Sequence, residues 1–505
     1  MISCPIRVNA FSRAKPSCNL LNLRVLSGSS LPVVTVFIRS PRILAPMMQF
    51  LEHLVISIWN RLQSRRVHGK NGYAGDTMLG YRVVDEQTTN RRVGMSATRR
   101  TMHAAVVGKS GTGKTSFIKQ LCAQDVDAGR GMFVLDLHGD LTPFILSAIA
   151  AEEWRRQEHL SDRLIVISPA DREVSVGLNP LEDADPDFAR IAEFAEVLRQ
   201  RWGLDHFGAR TDELLRNALY MLSANGLTLL ELGPLLTDSA FRAASLKTTP
   251  NADVRHYFES RYGKASEQMQ AVMREPILNK TSAFTSDPHF RHIVGQAHST
   301  FSFKQAMDEG YTIILNCEKG KLGAQALTLA SLVFTTFKNA IFARERKALF
   351  AAYCDEVQNF IAYSSDIETI LSEARKFGVG IVSANQYLDQ LPPPMRGALL
   401  STGTHIFFQL SSADAQTVSQ MLDGGKSLAE RLKNLPQRHF IVKSGADQWT
   451  EGCVPPVRAS GKSYTDLLNR SRARFARPRA EIEREIAERR AAFKKSTDEV
   501  LHDWN

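Results

Sequence analysis

The 505-residue sequence predicts an α/β fold: a mainly parallel sheet built around a phosphate-binding loop and interrupted by an all-α insertion. Short apolar runs alternate with helical runs on both sides of the insertion, as in parallel sheets whose crossovers are helices. A glycine-rich stretch, GKSGTGKT at 108–115, stands between one such run and a helix. Between 183 and 300 the strand signal disappears, and it returns at 311 with YTIILN.

The loop comes first because its chemistry is the most specific. An apolar run at 103–107 leads into it and a helical run at 116–125 leaves it, the strand-turn-helix setting that a phosphate loop requires. Gly108, Lys109, Ser110, Gly111, Thr112, Gly113, Lys114, Thr115 and the adjoining Ser116 are the candidate nucleotide-binding residues. Glycines let backbone N–H groups converge on phosphate oxygens at a helix N-terminus. Lys114 is placed to reach the β- and γ-phosphates of ATP, and the Thr115 hydroxyl to ligate Mg²⁺. A chance Gly/Ser/Thr turn would not carry this pattern in this context.

Bulk properties narrow the class. A hydrophobic content of 43% with 8% aromatics is globular, and the length allows two or three domains. Lys and Arg outnumber Asp and Glu by 63 to 53, a net +10, which favours a polyanion or acidic surface as partner. The six cysteines, Cys4, Cys18, Cys122, Cys317, Cys354 and Cys453, are scattered without a CxxC pair. Buried free thiols in a reducing compartment are the simplest account of them, ahead of a zinc site.

Five segments are expected. Residues 1–72 form a basic arm and an amphipathic helix. The first 46 contain no Asp or Glu and show no secretory signal pattern; they read as an extension upstream of a start at Met47 or Met48. At 47–62, Met47, Leu51, Leu54, Val55, Ile58 and Leu62 recur at helical spacing, with Glu52 and His53 in mid-run. This suits an amphipathic helix better than a membrane span. Contact with an anionic membrane through Trp59, Arg61, Arg65 and Arg66, and packing on protein, both remain open.

Residues 73–182 are the first part of the nucleotide-binding domain, with a small β-rich lead-in at 73–100 and strands at 131–135 and 163–168. Asp136, His138 and Asp140 resemble a metal triad, but a tight turn at a strand end explains them better. Residues 183–300 are the all-α insertion, with helical runs at 188–202, 211–222, 227–236 and 254–273, read as a separate lobe. Residues 301–457 resume the core, adding strands at 311–316, 348–354, 379–383, 404–410 and 438–442 to give a sheet of about seven strands. Residues 458–505 are a basic helical tail, in which Ile482, Ile486 and Phe493 make only a thin apolar stripe, so it reads as solvated.

The second half of the site lies in the resumed core. The buried-strand run ALFAAYC ends in Asp355 and Glu356. A carboxylate at a strand tip beside a phosphate loop can hold Mg²⁺, the role assigned to Asp355, and the next can polarise water, the role assigned to Glu356. Gln386 ends the following strand, where an amide can sense the γ-phosphate. Arg375 sits in a last helical turn before Gly378 and is a candidate finger for a neighbouring copy's site.

GKSGTGKT, LDLHGDL, GLNPLE, the helical insertion, CDEVQNF, EARKFGVGIVSANQYLDQL and THIFFQL together resemble the conjugative coupling ATPases of type IV secretion (TraG/TraD-like), within the HerA/FtsK superfamily of P-loop DNA-translocating ATPases. The likeness runs from about residue 80 to 457. It implies a RecA-like core, ATP and Mg²⁺, a homo-oligomer that is a hexameric ring, and catalytic roles for Lys114, Glu356, Gln386 and the trans Arg375. It further implies DNA held mainly by its phosphates, type IV secretion or relaxosome partners, and a cytoplasmic location with peripheral contact at the bacterial inner membrane. Such proteins usually begin with membrane-spanning helices, and here only the amphipathic stretch stands in that place. Two alternatives accompany this expectation: a HerA-like helicase motor in DNA repair, and a secretion ATPase that energises protein export or pilus assembly without DNA.

Overall fold

The computed structural model describes residues 19–23, 34–38, 77–182, 188–359 and 364–502. The chain divides into two units, 1–73 and 74–505. In the first, β1 (Asn19–Leu23) pairs antiparallel with β2 (Val34–Ile38). The amphipathic stretch 47–62 and the proposed start at Met47 or Met48 lie outside the described residues. Among the described residues no helix is long and apolar enough to cross a membrane.

The second unit is organised by one sheet of eleven strands. In chain order its members are β3 (Thr77–Val84), β4 (Gln87–Met95), β5 (Ala104–Val107), β6 (Met132–Asp136) and β7 (Leu164–Ile167). A separate short strand, β8 (Val174–Val176), follows. The sheet resumes with β9 (Thr312–Asn316), β10 (Phe350–Asp355), β11 (Val379–Asn385), β12 (Thr404–Phe407), β13 (His439–Ser444) and β14 (Thr450–Cys453). The spatial order is β4-β3-β14-β13-β12-β5-β11-β10-β6-β9-β7. The run from β12 to β7 is parallel throughout, and β13, β14, β3 and β4 extend it antiparallel. The sheet is thus larger than the seven strands expected, because the lead-in hairpin and the weakly apolar β14 join its edge rather than standing apart.

Both faces of the parallel part are covered, which is why its strands are continuous apolar runs. Alternate residues point opposite ways. Val106, Val134, Ile314, Tyr353 and Val382 meet Phe117, Leu121 and Ile145 of the helices Lys114–Ala128 and Leu141–Arg156. Phe133, Leu135, Ile313, Ala352 and Ile381 face Leu329, Val333 and Phe337 of the helix Gln325–Phe342. Beneath the first face, buried Asp125 accepts two bonds from Arg100, at 2.6 and 2.7 Å, and one from the Tyr353 hydroxyl at 2.5 Å. That network fixes the helix after the phosphate loop to the strand carrying Asp355.

The helical insertion is not walled off from the core. Its buried residues, among them Leu198, Leu219, Leu236, Tyr262 and Phe284, belong to the same apolar cluster as Phe133, Ile313 and Phe337. The expected helix at 254–273 is broken: Ala252–His256 passes into a π-helical turn, Tyr257–Tyr262, and Ser266 caps a new helix, Glu267–Thr285.

The C-terminal segment corrects the reading of a solvated tail. The helix Thr465–Phe475 covers the edge strand β7, with Ser471 Oγ donating to Leu164 O at 2.6 Å. Residues Ala476–Pro478 (β15) pair antiparallel with β8. The last helix, Arg479–His502, buries Ile482 and Ile486 against Leu230 of the insertion. Around that contact Glu483 accepts from Arg291 Nε at 2.8 Å and lies 2.8 Å from His292 Nε2, and Arg489 Nε donates to Glu231 at 3.0 Å. Two isoleucines are a thin stripe, but charge complementarity around them makes it an interface. The side chain of Phe493 lies outside the described residues.

Candidate nucleotide-binding and hydrolysis site

The loop Gly108 to Thr115 joins β5 to the helix Lys114–Ala128. Gly108 N donates to Asn385 O at 3.1 Å and Lys109 N to Gln409 O at 2.9 Å, so the loop is tied to the last residue of β11 and to the chain just past β12. Gly111 and Gly113 have φ of 77° and 120°, values that favour glycine. A Cβ at Gly111 would meet nothing within 4 Å, so the loop's outer face is open, whereas one at Gly113 would lie 3.0 Å from Arg438 Cα. Lys114 folds back along the loop, Nζ donating to Lys109 O at 2.9 Å and to Gly108 O. Burial holds its ammonium below the usual lysine range, against the pull of the Asp355 and Glu356 charges.

Behind the loop stands a wall that sequence reasoning missed. Arg438 N donates to Thr112 O at 2.8 Å and Gln437 Nε2 to Gly111 O at 3.1 Å. Neither residue sits in a motif, and the left-handed φ of Arg438, 69°, has no sequence signal.

The acidic pair ends β10, two strands from β5, with β11 between them. Asp355 is buried, and burial pushes its carboxyl up to about 6, with the charges of Lys114 and His138 opposing. Glu356 has a left-handed φ of 53°, and its N–H donates to Ala384 O at 2.8 Å. Its Oε1 accepts from Gln386 Nε2 at 2.8 Å, and its Oε2 from Asn359 Nδ2 at 2.7 Å. His138 Nε2 is 3.5 Å from the same Oε1. The Gln386 carbonyl oxygen in turn accepts from Ser110 Oγ at 3.1 Å. A continuous hydrogen-bonded path therefore runs from the phosphate loop through Gln386 to Glu356.

Asp136 serves its turn. Its carboxylate accepts from the N–H groups of His138, Gly139, Leu141 and Thr142 and from the Thr142 hydroxyl, at 2.7–3.3 Å. Among the described residues no group of three His, Cys, Asp or Glu side chains could hold a metal. Cys122, Cys317 and Cys354 are buried free thiols, and Cys453 is a partly buried one.

Lys114, Thr115, Asp355, Glu356 and Gln386 thus gather at the C-terminal ends of β5, β10 and β11, where ligands of parallel sheets bind. Arg375 does not join them. It lies in the 3₁₀ turn Ala374–Phe377, which ends at Gly378 before the opposite end of β11, about 20 Å of strand away. It is exposed and lines a pocket of about 600 Å³ with Thr369, Leu371, Ser372, Ala398 and Ser401.

This fold and site define a P-loop ATPase. Residues 82–222 match the family described as Helicase HerA, central domain. No curated protein matches the sequence. Among solved structures the chain is similar to the plasmid coupling protein TrwB in complex with ADP and Mg²⁺, at 17% identity over 78% of this chain and 99% of that one, with a TM-score of 0.54. TrwB bound to the non-hydrolysable GTP analogue GDPNP gives 17%, 74%, 90% and 0.52. VirB4 of Thermoanaerobacter pseudethanolicus gives 14%, 76%, 97% and 0.51. At these identities the likeness is one of fold.

Proposed function

We propose that this protein is an ATP-dependent DNA translocase of the coupling-protein kind, acting as a hexameric ring of identical copies. The observation that carries it is the separation of Arg375 from the rest of the site. Loop, acidic pair and Gln386 converge within one chain, while the cation suited to transition-state charge is exposed at the far end of β11. A neighbouring copy can supply it, as hydrolysis shared between subunits demands.

The residues present fit ATP and Mg²⁺. The loop's outer face is open at Gly111, and Asp355, raised by burial, is a carboxyl whose ionised form a divalent cation would stabilise. Lys114 and the loop N–H groups bind the phosphates, and Thr115 with Asp355 would hold the metal. Bound Mg²⁺ supplies charge neutralisation on the phosphate oxygens. Glu356 orients and polarises the attacking water, and Gln386, leaving Ser110 for the γ-phosphate, reports its presence to Glu356. DNA phosphates are the partner that the net charge of +10 favours. Type IV secretion or relaxosome proteins, and peripheral contact with the inner membrane, complete the reading.

The test is ATPase turnover with and without single- and double-stranded DNA, with Lys114→Ala as control. Stimulation by DNA that fades with salt supports the translocase. No stimulation by any DNA transfers the case to a secretion ATPase without DNA. The match of residues 82–222 favours a second reading, a HerA-like duplex motor in repair. Strand preference and membrane fractionation separate the two.

A further inference from the structure

The LDLHGDL turn and the residues after Glu356 have no role in the reading above, yet both reach the Glu356 carboxylate. We propose that Asn359, backed by His138, is a positioning residue that sets the rotamer of Glu356. The inference rests on Glu356 being the group that polarises water.

Asn359 closes on Glu356 twice. Its backbone N–H donates to Glu356 O at 2.9 Å, ending the short turn Val357–Asn359, and its Nδ2 donates to Glu356 Oε2 at 2.7 Å. A glutamate with free rotamers loses side-chain entropy when it is fixed. A clasp made before substrate arrives removes that cost from the chemical step. The backbone adds to the constraint: Glu356 sits at φ 53°, held there by the bond from its N–H to Ala384 O.

His138 approaches from the other side. Its ring is half-exposed, but the turn that bears it is fixed by five hydrogen bonds to Asp136, so Nε2 stands 3.5 Å from Oε1 on a rigid base. Gln386 occupies Oε1 directly at 2.8 Å. When Gln386 turns toward a phosphate, Asn359 and His138 are what remain to hold the carboxylate. Asp136, tempting as a metal ligand, therefore acts at one remove by anchoring the His138 turn.

The experiment compares steady-state ATPase and binding of a non-hydrolysable ATP analogue for the full chain with Asn359→Ala, Asn359→Asp, His138→Ala, His138→Gln and Glu356→Gln. The expected result is a fall in kcat of about 10-fold for Asn359→Ala, the scale of lost outer-shell support, with KM and analogue binding within twofold. Asn359→Asp keeps the shape but replaces the donor with a repelling charge, so it should lose at least as much; a space-filling role would leave it active. His138→Gln should recover most of what His138→Ala loses. Glu356→Gln must abolish turnover. If it does and both Asn359 variants keep wild-type kcat, the positioning role is overturned. If Glu356→Gln itself turns over normally, the reading of Glu356 falls and this inference with it. Should Asn359→Ala fail to fold, Asn359→Asp and the His138 pair decide by the same criteria.

Discussion

Gln386 donates its amide to Glu356 Oε1 at 2.8 Å, across the gap between two adjacent parallel strands. The two residues are 30 positions apart in sequence, and β10 and β11 bring their tips together. Because Gln386 also accepts from Ser110, one amide reads both the phosphate loop and the acid. Gln386→Ala should therefore cut kcat by roughly 10- to 100-fold while leaving ADP affinity nearly unchanged. Steady-state kinetics with ADP titration by calorimetry checks it; equal loss of ADP binding would mean that Gln386 only shapes the loop.

Arg375 gives a prediction about assembly. Lys114→Ala and Arg375→Ala should each be inactive alone, yet mixed copies should regain part of the activity. An intact loop on one copy then meets an intact arginine on the next. Turnover measured across mixing ratios tests this, and a mixture as dead as its components would confine Arg375 to its own chain.

His103 sets an acid limit on stability. It is buried at the start of the strand feeding the loop, its Nδ1 accepts the Ile381 N–H at 3.0 Å, and burial pushes the imidazole down to about 4, assisted by the Arg375 charge. The folded-state value is depressed, so the unfolded chain takes the proton first as pH falls. Stability is complete above the ordinary histidine value near 6.5 and drains between there and about 4. The loss by pH 5 should be about 2 kcal/mol. His103→Asn accepts the same N–H and tolerates the left-handed φ of 65°. Its unfolding midpoint should shift less between pH 7 and 5; equal shifts would assign the acid sensitivity elsewhere.

The last helix offers a stability prediction. Glu231 is buried, and Arg489, which also donates to Gly295 O at 2.8 Å, is its cation. Arg489→Ala leaves that carboxylate unpaired and should cost about 3 kcal/mol in denaturant unfolding. Substituting exposed Arg490 should cost less than about 0.5 kcal/mol.

Much of the site was legible locally. The phosphate loop declares itself because binding phosphate needs glycines, a lysine and a hydroxyl at fixed offsets, and the strand bearing Asp355 because buried parallel strands are unbroken apolar runs. Other parts were not. Asn359 and the Gln437–Arg438 wall act through contacts that no periodicity marks. The eleven-stranded sheet was undercounted because β14, TEGC, carries almost no apolar signal and earns its place by pairing with β13 and β3.

The sequence by itself determined the α/β class, the phosphate loop, the acidic pair and the helical interruption, since each depends on residues within a few positions of one another. Only the tertiary structure decided the strand order that sets Gln386 between the loop and Glu356, and the distance that strands Arg375 at the other end of β11. It alone turned a thinly apolar tail into a strap over the insertion, because Ile482 and Ile486 are buried by Leu230 and by charges on Arg291 and Glu231, residues more than 180 positions earlier whose proximity no local pattern encodes.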